Sequence, residues 1–182
     1  MDIRTATLAD LDALHDLVHR AYRGDSARQG WTHEADLLDG QRTDREALTE
    51  MLTDDDIRVL VAEEDGALIG CVEIADECDG RAYLGMLSVD PKRQAGGFGR
   101  QLIAAAESCA AETFGARTME MTVIRQRTEL IEYYKRRGYA LTGEDRPFPL
   151  ADPRFGTPRR DDLAFVVLAK PLQMSNGDLP KR

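Results

Sequence analysis

The chain is short of several things at once. In 182 residues it has one tryptophan, three cysteines and three histidines, no run near the roughly 18 apolar residues of a membrane span, and no internal repeat. Cys71, Cys78 and Cys109 are odd in number and follow no metal-ligand spacing, which argues against a disulfide framework or a cysteine zinc site and for free thiols in a reducing compartment. His15 and His19 stand four apart, a spacing zinc accepts. No third ligand lies near them in sequence and both border an apolar stripe, so they read as helix-flank histidines, with no metal expected. Basic residues are scarce too: 24 Lys and Arg against 33 Asp and Glu give a formal net charge of -9. That balance is the wrong sign for a nucleic-acid face and is compatible with a cationic partner such as an amine. Met1-Asp2-Ile3-Arg4 lacks the basic-then-apolar layout of a secretory leader, so the expectation is a cytoplasmic protein with neither a membrane nor a nucleic-acid partner.

What is present is an ordinary globular composition, 42% hydrophobic and 31% charged, over a length that suits one domain. The expectation is one α/β domain over 1–172 and a flexible tail over 173–182. Ile3 to Ala6 reads as a strand. Thr7 and Asp10 form a capping-box pattern before a helix with Leu11, Leu14, Val18 and Ala21 on one face and Gly24 as its stop. A second helix is predicted after Thr43, with Glu46 at the box position and Leu48, Met51 and Leu52 inward. Strands over Ile57–Glu64 and Ala67–Ala75 flank Asp65-Gly66, a two-residue hairpin signal, and Asp79-Gly80 turns into a strand over Arg81–Val89. A helix over about Arg100–Phe114 stops at Gly115, and Arg117–Ile124 alternates as a strand with Met119, Met121 and Val123 on one face. Thr128 is expected to cap the last helix, which ends before Gly138. Tyr139–Thr142 resumes strand character, 145–161 reads as a long proline-bearing loop, and Leu163–Lys170 closes the sheet. Asp54-Asp55-Asp56 reads as a solvated turn and Cys109 as a core position.

The densest signal is Gln94-Ala95-Gly96-Gly97-Phe98-Gly99, between the strand ending at Val89 and the following helix. Glycines there let backbone amides at a helix start approach a phosphate closely. A P-loop would need Gly-Lys-Ser/Thr, and Gly99 is followed by Arg100-Gln101. A dinucleotide fold would need a third glycine where Leu102 stands and a tighter first turn, although Glu120 lies where a ribose-binding carboxylate would fall.

The third phosphate ligand is the diphosphate of coenzyme A, and here the chain resembles a known family. Leu87-Ser88-Val89-Asp90-Pro91 followed by Gln94-x-x-Gly97-x-Gly99 and a helix is similar to the acetyl-CoA motif of the GNAT superfamily of N-acyltransferases. Tyr134-Lys135-Arg136-Arg137-Gly138-Tyr139 matches that family's tyrosine four residues before Gly-aromatic. The resemblance implies a single-domain GNAT-like fold, a mixed sheet of about six to seven strands flanked by about four helices. It also implies acetyl-CoA as co-substrate and a small-molecule or peptide amine as acceptor. The amides of Gln94, Ala95, Gly96, Gly97, Phe98, Gly99 and Arg100 would wrap the diphosphate, and Leu87, Ser88 and Val89 would run beside the pantetheine arm. Tyr134 would be the general acid for the departing thiolate.

An alkyl ammonium has a pKa of about 10.4 and must lose its proton before it attacks. A phenol of pKa about 10 donating to a thiolate of about 8.5 works uphill by roughly 2 kcal/mol, so the site must lower the pKa of Tyr134 or use it to position. Two departures from the family stand out. Arg127 replaces an asparagine and is assigned to the cofactor or acceptor, and Tyr83 replaces a glutamate base. Glu73, Glu120 and Glu34 are the remaining candidates for a base acting through water. Arg28, Gln29, Trp31 and Glu34 lie where this superfamily closes over its acceptor, with the arginine-bearing segment Arg146–Arg160 as an opposite wall; were the acceptor to carry a carboxylate, as an amino acid does, Arg28 or Arg154 would clamp it. A homodimer is a further expectation from the family. A non-catalytic acyl-CoA sensor on the same fold is the competing reading.

Overall fold

The computed structural model describes residues 1–22, 30, 34, 36–94, 96–150 and 156–173. Among them are strands β1 (Asp2–Thr5), β2 (Leu38–Asp39), β3 (Ile57–Glu64), β4 (Ala67–Asp76), β5 (Arg81–Val89), β6 (Thr118–Ile124), β7 (Ala140–Pro147), β8 (Thr157–Pro158) and β9 (Ala164–Pro171). The helices are α1 (Leu11–Tyr22), α2 (Arg45–Thr53), α3 (Phe98–Thr113) and α4 (Thr128–Lys135). Seven strands form one sheet in the order β1-β3-β4-β5-β6-β9-β7, and β2 pairs with β8 in a separate two-stranded ribbon. The sheet is mixed because β5 and β6 run parallel while the other neighbours are antiparallel.

Period-two alternation on β3 decides the layers. Val59 and Val61 join Leu14, Leu17 and Val18 of α1 and Leu48 of α2 in one core. Leu60 and Ala62 face the other way, onto Leu102, Ile103 and Ala106 of α3 and the apolar row Met119, Met121 and Val123 of β6. The sheet is therefore covered on both faces, and the helix stripes read from the sequence are the ones it buries. The Asp65-Gly66 turn is tight because both residues have positive φ, 52° and 77°, the geometry that matches the strand twist in a two-residue hairpin.

Several boundaries differ from the sequence expectation. Thr7 and Asp10 do pair at the chain's first turn, Asp10 accepting from the Thr7 amide at 2.8 Å, but a short 3-10 turn intervenes before α1. Asp44, not Thr43, caps α2 by accepting from the Ala47 amide at 2.8 Å; either side chain has the right chemistry, and the extended backbone of Asp44 decides it. Thr128 is the first residue of α4 and Arg127 occupies the cap position, with no side-chain cap bond. The glycine turn is followed at once by helix, two residues earlier than expected. The 145–161 segment is not one loop: β7 extends through Pro147, and Thr157–Pro158 pairs with Leu38–Asp39. Proline at the end of an edge strand loses no ladder bond, which is why composition misled there. Gly24, residues 151–155 and the tail from 174 onward lie outside the described residues.

Candidate active site

Parallel pairing of β5 with β6 is confined to Arg81–Thr118, Ala82–Met119 and Tyr83–Glu120. Beyond Tyr83 the two strands part. The cause is local: opposite β4, Cys71 pairs with Ser88 and Glu73 with Gly85, so β5 spends three steps where β4 spends two. The extra residue forms a bulge, and Met86 inside it has φ of +48°, a left-handed conformation that costs a side-chain-bearing residue about 1 kcal/mol or more. The bulge bends β5 away from β6 and opens a cleft.

That cleft has two contiguous chambers. The smaller, about 250 Å³, is lined by Leu87, Ser88, Val89, Gln94, Gly97, Phe98, Gly99, Tyr133 and Arg137. The larger, about 410 Å³, is lined by Glu34, Arg42, Glu77, Tyr83, Gly85, Arg146 and an apolar side that includes Phe148 and Phe165. Tyr22, Leu87, Arg127, Leu130 and Tyr134 border both.

At the smaller chamber Gly97 holds φ of +79° at the cap of α3. The amides of Phe98, Gly99 and Arg100 belong to the first helical turn, where no intrahelical acceptor exists for them. Gly99 admits no larger residue without movement, because a Cβ there would stand 2.7 Å from the Tyr133 hydroxyl. Gly96 packs under the Phe98 ring. Ala95 lies outside the described residues. The Gln94 side chain folds back and donates to the Val89 carbonyl at 3.3 Å. The Leu87 carbonyl accepts from the Tyr22 hydroxyl at 3.0 Å, and the Ser88 hydroxyl donates to Met86 inside the bulge. At Leu87 and Val89, then, one carbonyl lone pair is already engaged by the protein.

Of the two adjacent tyrosines, Tyr134 is buried at the junction of the chambers and stacks edge-on against Tyr139. Tyr133 sits beside Gly99 with the Arg137 guanidinium 3.3 Å from its ring centre. Burial pushes the Tyr134 phenol well above its ordinary value, with the nearby tyrosines adding to the rise and Arg127 opposing it. The direction is opposite to the lowering that full proton transfer to a thiolate would need. The phenol is instead held neutral.

The acidic candidates separate sharply. The Glu73 carboxylate lies over Gly85, 2.5 Å from where a Cβ would stand; only glycine leaves it room. Burial raises its pKa, against the opposing charge of Arg42. Glu120 is bound by Arg146 at 2.6 Å, and Arg146 also donates to Glu144 at 2.7 Å. Glu34 is buried and accepts from Arg127 at 2.9 Å, both side chains being about one-tenth exposed. Two of the three carboxylates are thus held by arginines, and Glu73 is raised by burial. Tyr83 bonds Thr122 across the opening at 2.7 Å. Arg28, Gln29, Trp31 and Arg154 lie outside the described residues. Sequence reading did not single out Tyr22, Arg42, Phe148 or Phe165. Tyr22 ends a periodic helix and is detectable as its last polar-tipped aromatic; Arg42 and Phe148 sit in aperiodic segments, which carry no such signal, and Phe165 stands in β9, where strand period alone does not tell which face meets the cleft.

His15 and His19 form no metal cluster, and no group of three or more potential ligands occurs among the described residues. No helix among them is long and apolar enough to cross a membrane.

A mixed sheet parted between two parallel strands, with a glycine-started helix at the opening, defines the acyltransferase class of fold, and comparison with known proteins agrees. The family model for the acetyltransferase (GNAT) family matches residues 11–139. The chain belongs to that family. Solved structures share the fold. A ribosomal-protein-alanine N-acetyltransferase from Brucella melitensis superposes with a TM-score of 0.70 at 21% identity, over 94% of this chain and 100% of its own. The ribosomal-protein-S18-alanine N-acetyltransferase of Escherichia coli gives 0.69 at 16%, over 99% of each chain. A variant of the spermidine N-acetyltransferase of Vibrio cholerae gives 0.65 at 16%, over 94% and 95%. No curated protein matches in sequence.

Proposed function

We propose that the chain moves an acetyl group from acetyl-CoA to a primary amine by direct attack of the amine on the thioester. The observation that carries this reading is the continuity of the cleft. A glycine-started helix opens one end, Tyr134 stands at the junction, and a buried carboxylate lies toward the other end. The residues fit the cofactor: the first-turn amides of α3 suit a diphosphate, and Gly97 and Gly99 permit its close approach. The backbone of Leu87, Ser88 and Val89 suits an amide-bearing arm, and Arg127 borders it. Bound there, acetyl-CoA supplies an activated acyl group.

The chain's own residues then do three things. Glu73 takes the ammonium proton, directly or through a water, with its raised pKa bringing it nearer the operating range of a general base. Glu120 and Glu34 act as counter-ions to Arg146 and Arg127. The neutral Tyr134 phenol donates a hydrogen bond to the departing sulfur, favouring the thiolate without surrendering its proton outright. Relatives named for acceptors as different as a protein alanine and spermidine fit an amine acceptor in general. Among the described residues the outer edge of β7 pairs with no strand but β9, which supports a homodimer as the assembly.

The test is titration calorimetry with acetyl-CoA, then thiol release across a panel of amines. Association plus thiol release is expected. Association without release from any amine would favour a sensor, and no association would end the reading. Tyr134→Phe should keep acetyl-CoA affinity and lower kcat about 10- to 100-fold, the loss of one hydrogen bond to a developing charge; unchanged kcat would remove Tyr134 from the chemistry.

A further inference from the structure

Three arginines line the larger chamber, and two are ion-paired. Arg127 donates to Glu34 at 2.9 Å, and Arg146 holds Glu120 and Glu144 at 2.6 and 2.7 Å. Arg42 differs: it makes no hydrogen bond or ion pair among the described residues, and its guanidinium carbon lies over the Tyr22 ring, 5.1 Å from the centroid. Tyr22 is itself pinned by its bond to the Leu87 carbonyl. A ring contact engages the guanidinium but uses none of its five N–H donors, which still need acceptors. Arg42 is half-buried and borders the chamber, so those donors are within reach of a ligand that fills it.

We infer that Arg42 receives a carboxylate carried by the amine acceptor, so that the substrate class is an amino acid rather than a simple alkylamine. The inference rests on the acyltransfer reading above. The planar fork of Arg42 matches two carboxylate oxygens. The guanidinium is cationic at any working pH. Glu73 does not take the place of that anion: its carboxylate lies over Gly85 and makes no ion pair with Arg42. Leu38, Ile124, Phe148 and Phe165 form an apolar wall in the same chamber, which suits a hydrocarbon side chain on the same molecule.

The experiment compares thiol release with acetyl-CoA for matched sets: L-leucine or L-phenylalanine, the corresponding amide, the decarboxylated amine and the aminophosphonate. Wild type should favour the acid over the amide by about 10- to 100-fold in kcat/KM. Arg42→Gln should reduce that ratio by a similar factor, Arg42→Lys should retain part of it, and calorimetry with acetyl-CoA checks that each variant is folded. Equal use of acid, amide and amine, refusal of every acid, or preference for the phosphonate would overturn the assignment. So would a proportionate loss for all four in Arg42→Gln. Should the variants not fold, the wild-type ratio alone decides. Failure of acetyl-CoA to bind at all is a separate result, which removes the acyltransfer reading instead.

Discussion

Glu73 and Asp10 show how the same carboxylate is tuned in opposite directions by its surroundings. Glu73 is raised by burial, so a base in this position loses activity as pH falls through a value above the ordinary carboxylate range of about 4. A pH profile of kcat/KM should therefore show an acid limb displaced upward, and Glu73→Gln should abolish that limb and lower kcat/KM by about 100-fold or more. An unchanged limb in the variant would move the base elsewhere. Asp10 is lowered to about 2, chiefly by its hydrogen bonds from Arg4, which donates at 2.7 and 2.9 Å. A depressed carboxylate contributes stability above its unfolded pKa and loses it as pH falls toward the folded one. Asp10→Asn should thus cost about 1 kcal/mol at pH 7 and progressively less below about pH 4, as read from urea unfolding at several pH values.

At the scale of elements, two devices make the cleft: the bulge in β5 and the glycine start of α3. The first parts the sheet and the second faces unsatisfied amides into the parting. Gly97 carries the left-handed backbone at φ +79°, so Gly97→Ala should destabilise the fold by about 1 kcal/mol and weaken acetyl-CoA association as the turn relaxes. Gly99→Ala acts differently, with an ordinary backbone but a Cβ pressed against the Tyr133 hydroxyl at 2.7 Å. It should lower acetyl-CoA affinity about tenfold with little change in stability. Calorimetry and chemical unfolding on both variants separate strain from obstruction. Equal behaviour of the two would show that the turn merely joins β5 to α3. The capping differences at Asp44 and Arg127 belong to this scale too. Neighbouring residues offer competing caps, and backbone entry angle, which sequence does not encode locally, selects between them.

For the whole molecule, the cleft lies between parts of the sheet that are held together on only one side of the opening. A ligand filling it should bind the folded state alone and stabilise it by mass action, by about 2.7 kcal/mol at a hundred times Kd. For a chain of this size that corresponds to a rise in Tm of roughly 5–10 °C. Thermal unfolding with and without acetyl-CoA measures it, and an unmoved Tm at that excess would contradict binding in the cleft.

The residues by themselves determined the layers and the glycine turn. Period-two apolar rows on β3 and β6, helix stripes on α1 and α3 and the Asp65-Gly66 hairpin are local patterns, and burial of those same faces follows from the hydrophobic effect wherever the chain folds. The turn at 94–99 and the tyrosine at 134 were visible for the same reason, being short and contiguous. Only the tertiary structure decided which carboxylates are held by arginines, that Gly85 makes room for Glu73, and that Arg42 comes to the cleft from a segment without periodicity. It also placed the parting of β5 from β6 just after Tyr83. Those facts depend on side chains far apart in sequence meeting at defined distances, and on a bulge whose position is fixed by pairing across β4 and β5, which no local pattern specifies.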